Sequence, residues 1–273
     1  MTRATLPKSD AVARPFETSP NRQYGEVSNL GPRPQTRTNL LLPQTGTDPA
    51  ISYLTLGVAA NLPRTTQNRG GARNHASRES HELTAAQVGN LINATRHAYI
   101  IGLPFTRMIT IHWQAAGLSL EAMVTATGKF TDLLAKSLTR HGNGTAWAWV
   151  HENGDGKGGH CHMLAHVPAA LAPIVAKLQK GWLRRITGKP YRARVICSKP
   201  IGGRLGLEVG NPDLHSINLD SALGYILKCA SVAAASRCDL TRLERGGRVI
   251  GKRCGISQNI GAKARKADSE RQV

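Results

Sequence analysis

The sequence predicts an α+β fold: a central antiparallel sheet with helices packed on its faces. Two observations carry this. Trp147 to Pro168, WAWVHENGDGKGGHCHMLAHVP, reads as a β-hairpin, and the strand-like stretches around it are separated by stretches of helical period. Strands divided by helices, with an antiparallel pair at the centre, argue for an α+β sandwich. The order of the strands does not follow from the sequence.

Residues 1–82 are rich in Pro, Thr, Asn, Arg and Gly and show no sustained period, so they read as a basic N-terminal arm. Ile51 to Ala60 is the one apolar patch in it. Thr84-Ala-Ala-Gln87 has the form of a capping box. Val88, Leu91, Ile92, Ala98 and Tyr99 then follow a helical stripe, which Gly102 and Pro104 end. Arg107 to Trp113, RMITIHW, is expected to be a strand, and Ser119 to about His141 a second helix with Met123, Phe130, Leu133, Leu134 and Leu138 on one side. The hairpin follows. Ala169 to Ile186 predicts a helix with Pro173 near its start, and Arg192 to Lys199 a strand. Gly202 to Pro212 is glycine-rich and has no clear pattern. Asn218 is expected to cap a helix reaching Ala233, and Ser257 to cap a short last one. The resulting division is an arm over 1–82, a folded domain over 83–235 and a basic C-terminal extension over 236–273.

Within the hairpin, Trp147 to Glu152 is the first strand, Asn153 to Gly159 the turn and His160 to Val167 the second strand. Strand side chains alternate faces, so His160 and His162 lie side by side on one face. Two imidazoles so placed can grip one metal ion, with a carboxylate from the neighbouring strand completing the set. Glu152 and His151 are adjacent and point to opposite faces, so only one can share the histidines' face. Pairing Glu152 with His160 aligns Val150 with His162; pairing His151 with His160 puts Trp149 opposite His162. Chemistry favours Glu152, because a carboxylate suits Mg²⁺ or Mn²⁺ and a third imidazole a late metal. Packing leans the same way: Trp147, Trp149 and His151 share a face that would bury well beneath a helix.

The 273-residue chain carries 36 Lys+Arg against 17 Asp+Glu, a formal net charge of +19, which points to a polyanionic partner such as nucleic acid. Aromatics are only 4%, too few for a wide base-stacking platform. Cys161, Cys197, Cys229, Cys238 and Cys254 form no Cys-x-x-Cys, which argues against a zinc knuckle or a disulfide framework and for reduced thiols, mostly in the core. With no apolar run long enough to span a membrane and no signal-like start, a cytoplasmic protein without membrane partners is expected. Two nucleotide-binding patterns fail on context. Gly154-Asp-Gly-Lys-Gly-Gly159 precedes a strand where a dinucleotide site needs a helix, and Gly246 to Arg253 has Arg253 where a P-loop needs Ser or Thr.

In Leu219 to Ala230, the residues Leu219, Leu223, Ile226, Leu227 and Ala230 share a helical face, and Tyr225 falls roughly opposite, with Lys228 three residues on. A phenol is a poor nucleophile at neutral pH, because its pKa is about 10. A neighbouring ammonium favours phenolate or neutralises a phosphate.

His160-Cys161-His162, followed by Tyr225-Ile-Leu-Lys228 and preceded by Met108 to Trp113, resembles the HUH endonuclease superfamily. The order of motifs is that of single-tyrosine rolling-circle replication initiators of plasmids and filamentous-type phages. The likeness covers Arg107 to Lys228, with KRCGISQNI also similar. It departs from the family at Cys161, smaller than the usual aliphatic, and in having one Tyr in the helix motif. The resemblance implies an antiparallel sheet with the histidines on a central strand, and nicking of single-stranded origin DNA. In that reading Mg²⁺ or Mn²⁺ sits at His160, His162 and Glu152, and Tyr225 forms a 5′-phosphotyrosyl link that leaves a free 3′-hydroxyl. Lys228 steadies the phosphate or the phenolate. Arg248, Lys252, Arg253, Lys263 and Arg265 are the expected DNA contacts of the tail. Single-stranded and origin duplex DNA are the expected partners, with room for host replication proteins. The alternatives are a mobilisation relaxase, an HUH transposase, or a non-catalytic DNA-binding replication factor.

Overall fold

The computed structural model describes residues 76–201 and 211–271. The expectations for Ile51 to Ala60, for most of the N-terminal arm and for nearly all of Gly202 to Pro212 lie outside them.

Five strands form one antiparallel sheet: β2 (Arg107–Ile111), β3 (Trp147–Gly154), β4 (Gly158–Ala165), β5 (Ile196–Pro200) and β7 (Cys254–Ile256), in the order β5-β2-β4-β3-β7. The histidine strand β4 is therefore the middle one. A separate two-stranded ribbon pairs β1 (Glu79–Ser80) with β6 (Val249–Ile250). Helices α1 (Ala85–Ile100), α2 (Met123–Arg140), α3 (Ala172–Thr187), α4 (Pro212–Leu227), α5 (Val232–Arg237) and α6 (Ala262–Arg271) complete the described residues. The predicted α+β class with a central antiparallel sheet is what the chain adopts.

The alternation of side chains along β3 and β4 sorts the core into two layers. Ala148, Val150 and Leu164 face one side, where they pack with Val88, Leu91 and Ile92 of α1 and with Leu219, Leu223, Ile226 and Leu227 of α4. Trp149, Cys161 and Met163 face the other, against Met123, Phe130 and Leu134 of α2 and Trp182 and Leu183 of α3. Burying each such large apolar side chain contributes about 1.5–3 kcal/mol. A one-residue slip would exchange the two sets, so the register is strongly specified. The observed register pairs Glu152 with His160 and Val150 with His162. A Gly-rich turn closes the hairpin, with Gly156 at φ 73° and Gly158 at φ 63°, conformations that β-carbons disfavour. The GxGxxG pattern is thus a hairpin turn, as its context required.

Local signals read well at helix starts. Thr84 accepts from the Gln87 backbone while the Gln87 side chain accepts from the Thr84 N–H, a complete capping box. Gly102, at φ 71°, ends the turn after α1. Two helical boundaries differ from expectation. The helix carrying Tyr225 starts at Asn211, whose side chain accepts from the Leu214 N–H, and not at Asn218. It stops at Leu227, and Ser231 caps the separate helix α5. Asn211-Pro212 supplies a cap followed by a proline at the first helical position, a stronger start than an Asn inside an apolar run. Ser257 makes no capping bond; its hydroxyl accepts from the Trp147 N–H and extends the β3–β7 edge, with the short 3₁₀ turn Gln258–Ile260 next and α6 only after Gly261.

The division at 82 and 236 also changes. Cys254–Ile256 is the edge strand beside β3, and Glu79–Ser80 pairs with Val249–Ile250, so segments assigned to arm and extension are integral to the fold. Arg253 joins them. It is 1% exposed, and its guanidinium donates to the Ser80 hydroxyl and carbonyl and to the carbonyls of His151, Gly246 and Gly247. A charge just before a short strand can be buried only because five acceptors surround it. Arg253, expected at the DNA surface, is a buried structural clamp.

Candidate metal centre

Glu152, His160 and His162 come together on the α4 side of the sheet, with one ligand atom from each within 4.8 Å of the others. All three are buried. The His160 and His162 Nε2 atoms lie 3.5 and 3.8 Å from Glu152 Oε2. Ligands bound at about 2.0–2.2 Å to one cation are separated by roughly 3.0–3.6 Å, so the spacing is close to that of a coordination polyhedron.

The second ring nitrogens orient the two imidazoles. His160 Nδ1 is 2.7 Å from the Gly158 carbonyl, which can only accept, so the proton sits on Nδ1 and the Nε2 lone pair is free. His162 Nδ1 lies 2.9 Å from the Thr110 hydroxyl, directly across the β2–β4 pair, and its Nε2 has no hydrogen-bond partner. Glu152 Oε1 is likewise buried without a partner. Buried polar atoms are normally satisfied; the orphaned His162 Nε2 and Glu152 Oε1, with the His160 Nε2 lone pair, make a donor set of one oxygen and two nitrogens that fits a divalent cation, while the Glu152 Oε2 nearest the histidines is bonded by Lys228.

Protonation supports the same fit. Burial pushes His162 down to about 3, so its ring is neutral at ordinary pH. Burial alone would raise the Glu152 carboxyl, but interactions with His160 and Lys228 outweigh it and hold the group at about 2. The carboxylate is ionised and the ring unprotonated, the states a metal ligand needs.

His151, the rival third ligand, faces the opposite layer and is fully buried. Its Nδ1–H donates to the Lys252 carbonyl at 3.1 Å, and its Nε2 is 2.8 Å from the Thr127 hydroxyl, which accepts from the Trp113 indole N–H at 2.9 Å. Every polar atom of that chain is used. Burial drives His151 down to about 3. Its role is to join α2, β3 and the turn before β7 that carries Lys252.

Tyr225 meets the Glu/His/His group edge-on, its ring centroid 4.9 Å from that of His162. The helical wheel places it away from the apolar stripe, yet it is partly buried, because the loop after α5 covers it. Arg242 lies over its ring at 4.9 Å and the Lys228 ammonium at 4.8 Å. Lys228 is thus beside Tyr225, as the spacing suggested, but it is buried and its ammonium bonds Glu152. A second carboxylate, Glu244, stands 3.5 Å from the same ammonium and is also bonded by Arg242. The Glu244 N–H donates to the Lys228 carbonyl and holds the loop in place. The charges therefore run in sequence, Arg242, Glu244, Lys228, Glu152, and then the two histidines.

Sequence reasoning missed Arg242 and Glu244. The available signal was an acid inside a basic tail, Leu243-Glu244-Arg245. It also missed His112, whose partly exposed ring lies 5.4 Å from that of His160. Burial lowers its pKa, as do the charges of His160 and Lys157. The expected DNA contacts scatter. Lys252 and Lys263 are exposed; Arg248 is exposed but bonded to Glu79; Arg265 is partly buried and donates to the Ile260 carbonyl and Asn90. None of them reaches the centre.

Beside the centre, a cavity of about 550 Å³ is lined by His81, Asn153, Cys229, Glu244 and Gly247 among others. A β-carbon on Gly247, at φ 65°, would lie 1.8 Å from the Asn153 carbonyl, so only glycine allows that loop to close on the hairpin. Cys161, Cys229, Cys238 and Cys254 are buried free thiols and Cys197 is exposed. Among the described residues, no helix is long and apolar enough to cross a membrane. No protein-family model, curated protein or solved structure matches the chain.

Proposed function

We propose that the protein cuts and rejoins single-stranded DNA by transesterification, as a replication-initiation nuclease of the HUH type. The observation that carries this is the placement of Tyr225 edge-on to His162, beside a buried Glu/His/His set with free lone pairs. A phenol used only for packing has no need of that neighbour. Mg²⁺ or Mn²⁺ at Glu152, His160 and His162 would supply Lewis-acid polarisation of the scissile phosphate.

The chain's own residues do the rest. The Tyr225 oxygen attacks phosphorus as its proton is lost, the P–O3′ bond breaks, and the 3′-oxygen leaves as a hydroxyl after taking up a proton. One phosphodiester is exchanged for another, so attack by a 3′-hydroxyl can reseal the strand without ATP. Thr110 and the Gly158 carbonyl orient the two imidazoles. Lys228 and Arg242 flank the Tyr225 ring and are placed to hold the charge of a phosphate brought to it. Glu244 offers Lys228 a second carboxylate whenever Glu152 is engaged elsewhere.

The test is a cleavage assay on a pool of labelled single-stranded oligonucleotides with Mn²⁺. The expected products carry 3′-hydroxyls that a polymerase extends, and chelator or Tyr225→Phe abolishes them. Extendable ends formed equally well by Tyr225→Phe would show simple hydrolysis and overturn the transesterification reading.

A further inference from the structure

The sheet's other face carries a second feature that the metal centre does not use. Helices α2 and α3 pack side by side over it and leave between them a groove of about 830 Å³. Lys136 and Arg140 line it from α2, and Lys177, Lys180, Arg184 and Arg185 from α3. No acidic residue lines it, all six cations are exposed, and none makes an ion pair among the described residues. Arg140, Arg184 and Arg185 stand in last helical turns, where the macrodipole favours cations, but Lys136, Lys177 and Lys180 do not, so capping does not account for the set.

Like charges gathered this closely repel one another, and the fold offers them no carboxylate; Lys180 alone has an aromatic neighbour, the Tyr191 ring 5.7 Å away. Lys177, Lys180 and Arg184 fall on one row of α3 over about 10 Å, and Lys136 and Arg140 on one row of α2. A duplex carries one phosphate charge per roughly 1.7 Å of axis, or about six over that length, which matches the cations of the groove. Gly181 forms part of the floor, with nothing within 4 Å of where a β-carbon would stand, so a backbone can approach closely. The groove offers no open aromatic face: Trp182 is 7% exposed and packs edge-on against Phe130. It is built to hold phosphates and not to stack bases.

We infer that the α2–α3 groove is a binding surface for the sugar-phosphate backbone of duplex DNA, separate from the metal centre and on the opposite side of the sheet. It would take hold of duplex flanking the strand that is cut, without reading its sequence. This binding needs no metal and no reaction, so it stands or falls independently of the activity proposed above.

The test compares the full chain with a variant bearing Lys136→Gln, Arg140→Gln, Lys180→Gln and Arg184→Gln. Binding of a labelled duplex is followed by fluorescence anisotropy across a salt series in EDTA. Removing four phosphate contacts should lower the slope of log K against log salt by about 3.6 and weaken binding roughly tenfold or more near physiological salt. A charge-preserving set (Lys136→Arg, Arg140→Lys, Lys180→Arg, Arg184→Lys) should bind as wild type, which separates loss of charge from loss of fold. An unchanged slope in the Gln variant would overturn the inference. So would loss of binding to phosphatidylserine vesicles with duplex binding intact, since that would assign the groove to a lipid surface.

Discussion

Glu152→Gln removes the charge on which the candidate metal centre rests. The Glu152 side chain is 4% exposed and that of Lys228 also 4%, so the substitution leaves an ammonium buried without its nearest counter-charge. Breaking a buried pair from one side costs about 3–5 kcal/mol. Glu244, 3.5 Å from the same ammonium but 41% exposed, recovers part of this, which puts the expected loss at about 2–4 kcal/mol. For a folded unit of this size each kcal/mol moves the midpoint by about 2–4 °C, so Tm should fall by roughly 4–16 °C in metal-free buffer. The double variant Glu152→Gln/Lys228→Met should recover most of the loss, because replacing both members of a buried pair is often near neutral. Differential scanning calorimetry in EDTA and then in Mn²⁺ reads both effects. Mn²⁺ should raise the wild-type Tm and leave Glu152→Gln unmoved. A Glu152→Gln variant as stable as wild type, or one still stabilised by Mn²⁺, would refute the reasoning.

Two other predictions concern the frame around the centre. Arg253→Ala should cost about 3–5 kcal/mol by taking its guanidinium donors from the backbone carbonyls at Ser80, His151 and Gly247. Urea unfolding measures it, and a variant of full stability with weakened DNA binding would return Arg253 to the DNA surface; a chain begun at His81 would likewise lose Ser80 and be destabilised. His151 sets a pH dependence. Its folded pKa of about 3 lies below the ordinary 6.5, so its contribution to stability is complete above pH 6.5 and declines as pH falls from there toward 3. Between pH 7.5 and 5 that amounts to roughly 2 kcal/mol, and His151→Gln should lose that much of the pH slope in urea unfolding.

The sequence was most legible where two periods agreed. Alternation in the hairpin placed His160 and His162 together, and the bulk of Trp149 turned His151 away from them, so the three-residue centre could be read before any coordinates. The Thr84 capping box was equally local. What could not be read was set by contacts distant in sequence. Arg253 looked like a cation of a basic tail because its acceptors at Ser80 and His151 come from two distant segments. Lys228 looked like a partner of Tyr225 at i+3, and is one, but a buried carboxylate on β3 competes for the same ammonium. Cys254–Ile256 is only three residues long, too short for a period to show, and becomes a strand because β3 offers it an unpaired edge. Arg242 and Glu244 lie in a loop without regular structure, where position is decided by what the loop covers.

The central claim, that Tyr225 is the nucleophile of a metal-dependent strand transfer, is tested most directly by mapping the covalent link. The protein is incubated with a single-stranded oligonucleotide pool and Mn²⁺, denatured, freed of unlinked DNA and digested with protease and nuclease. Mass spectrometry then locates the residual nucleotide. The account predicts a phosphate-linked nucleotide on Tyr225, absent with chelator and absent in Tyr225→Phe. A nucleotide on Tyr191 or any other residue, or no link across the whole pool, would contradict it.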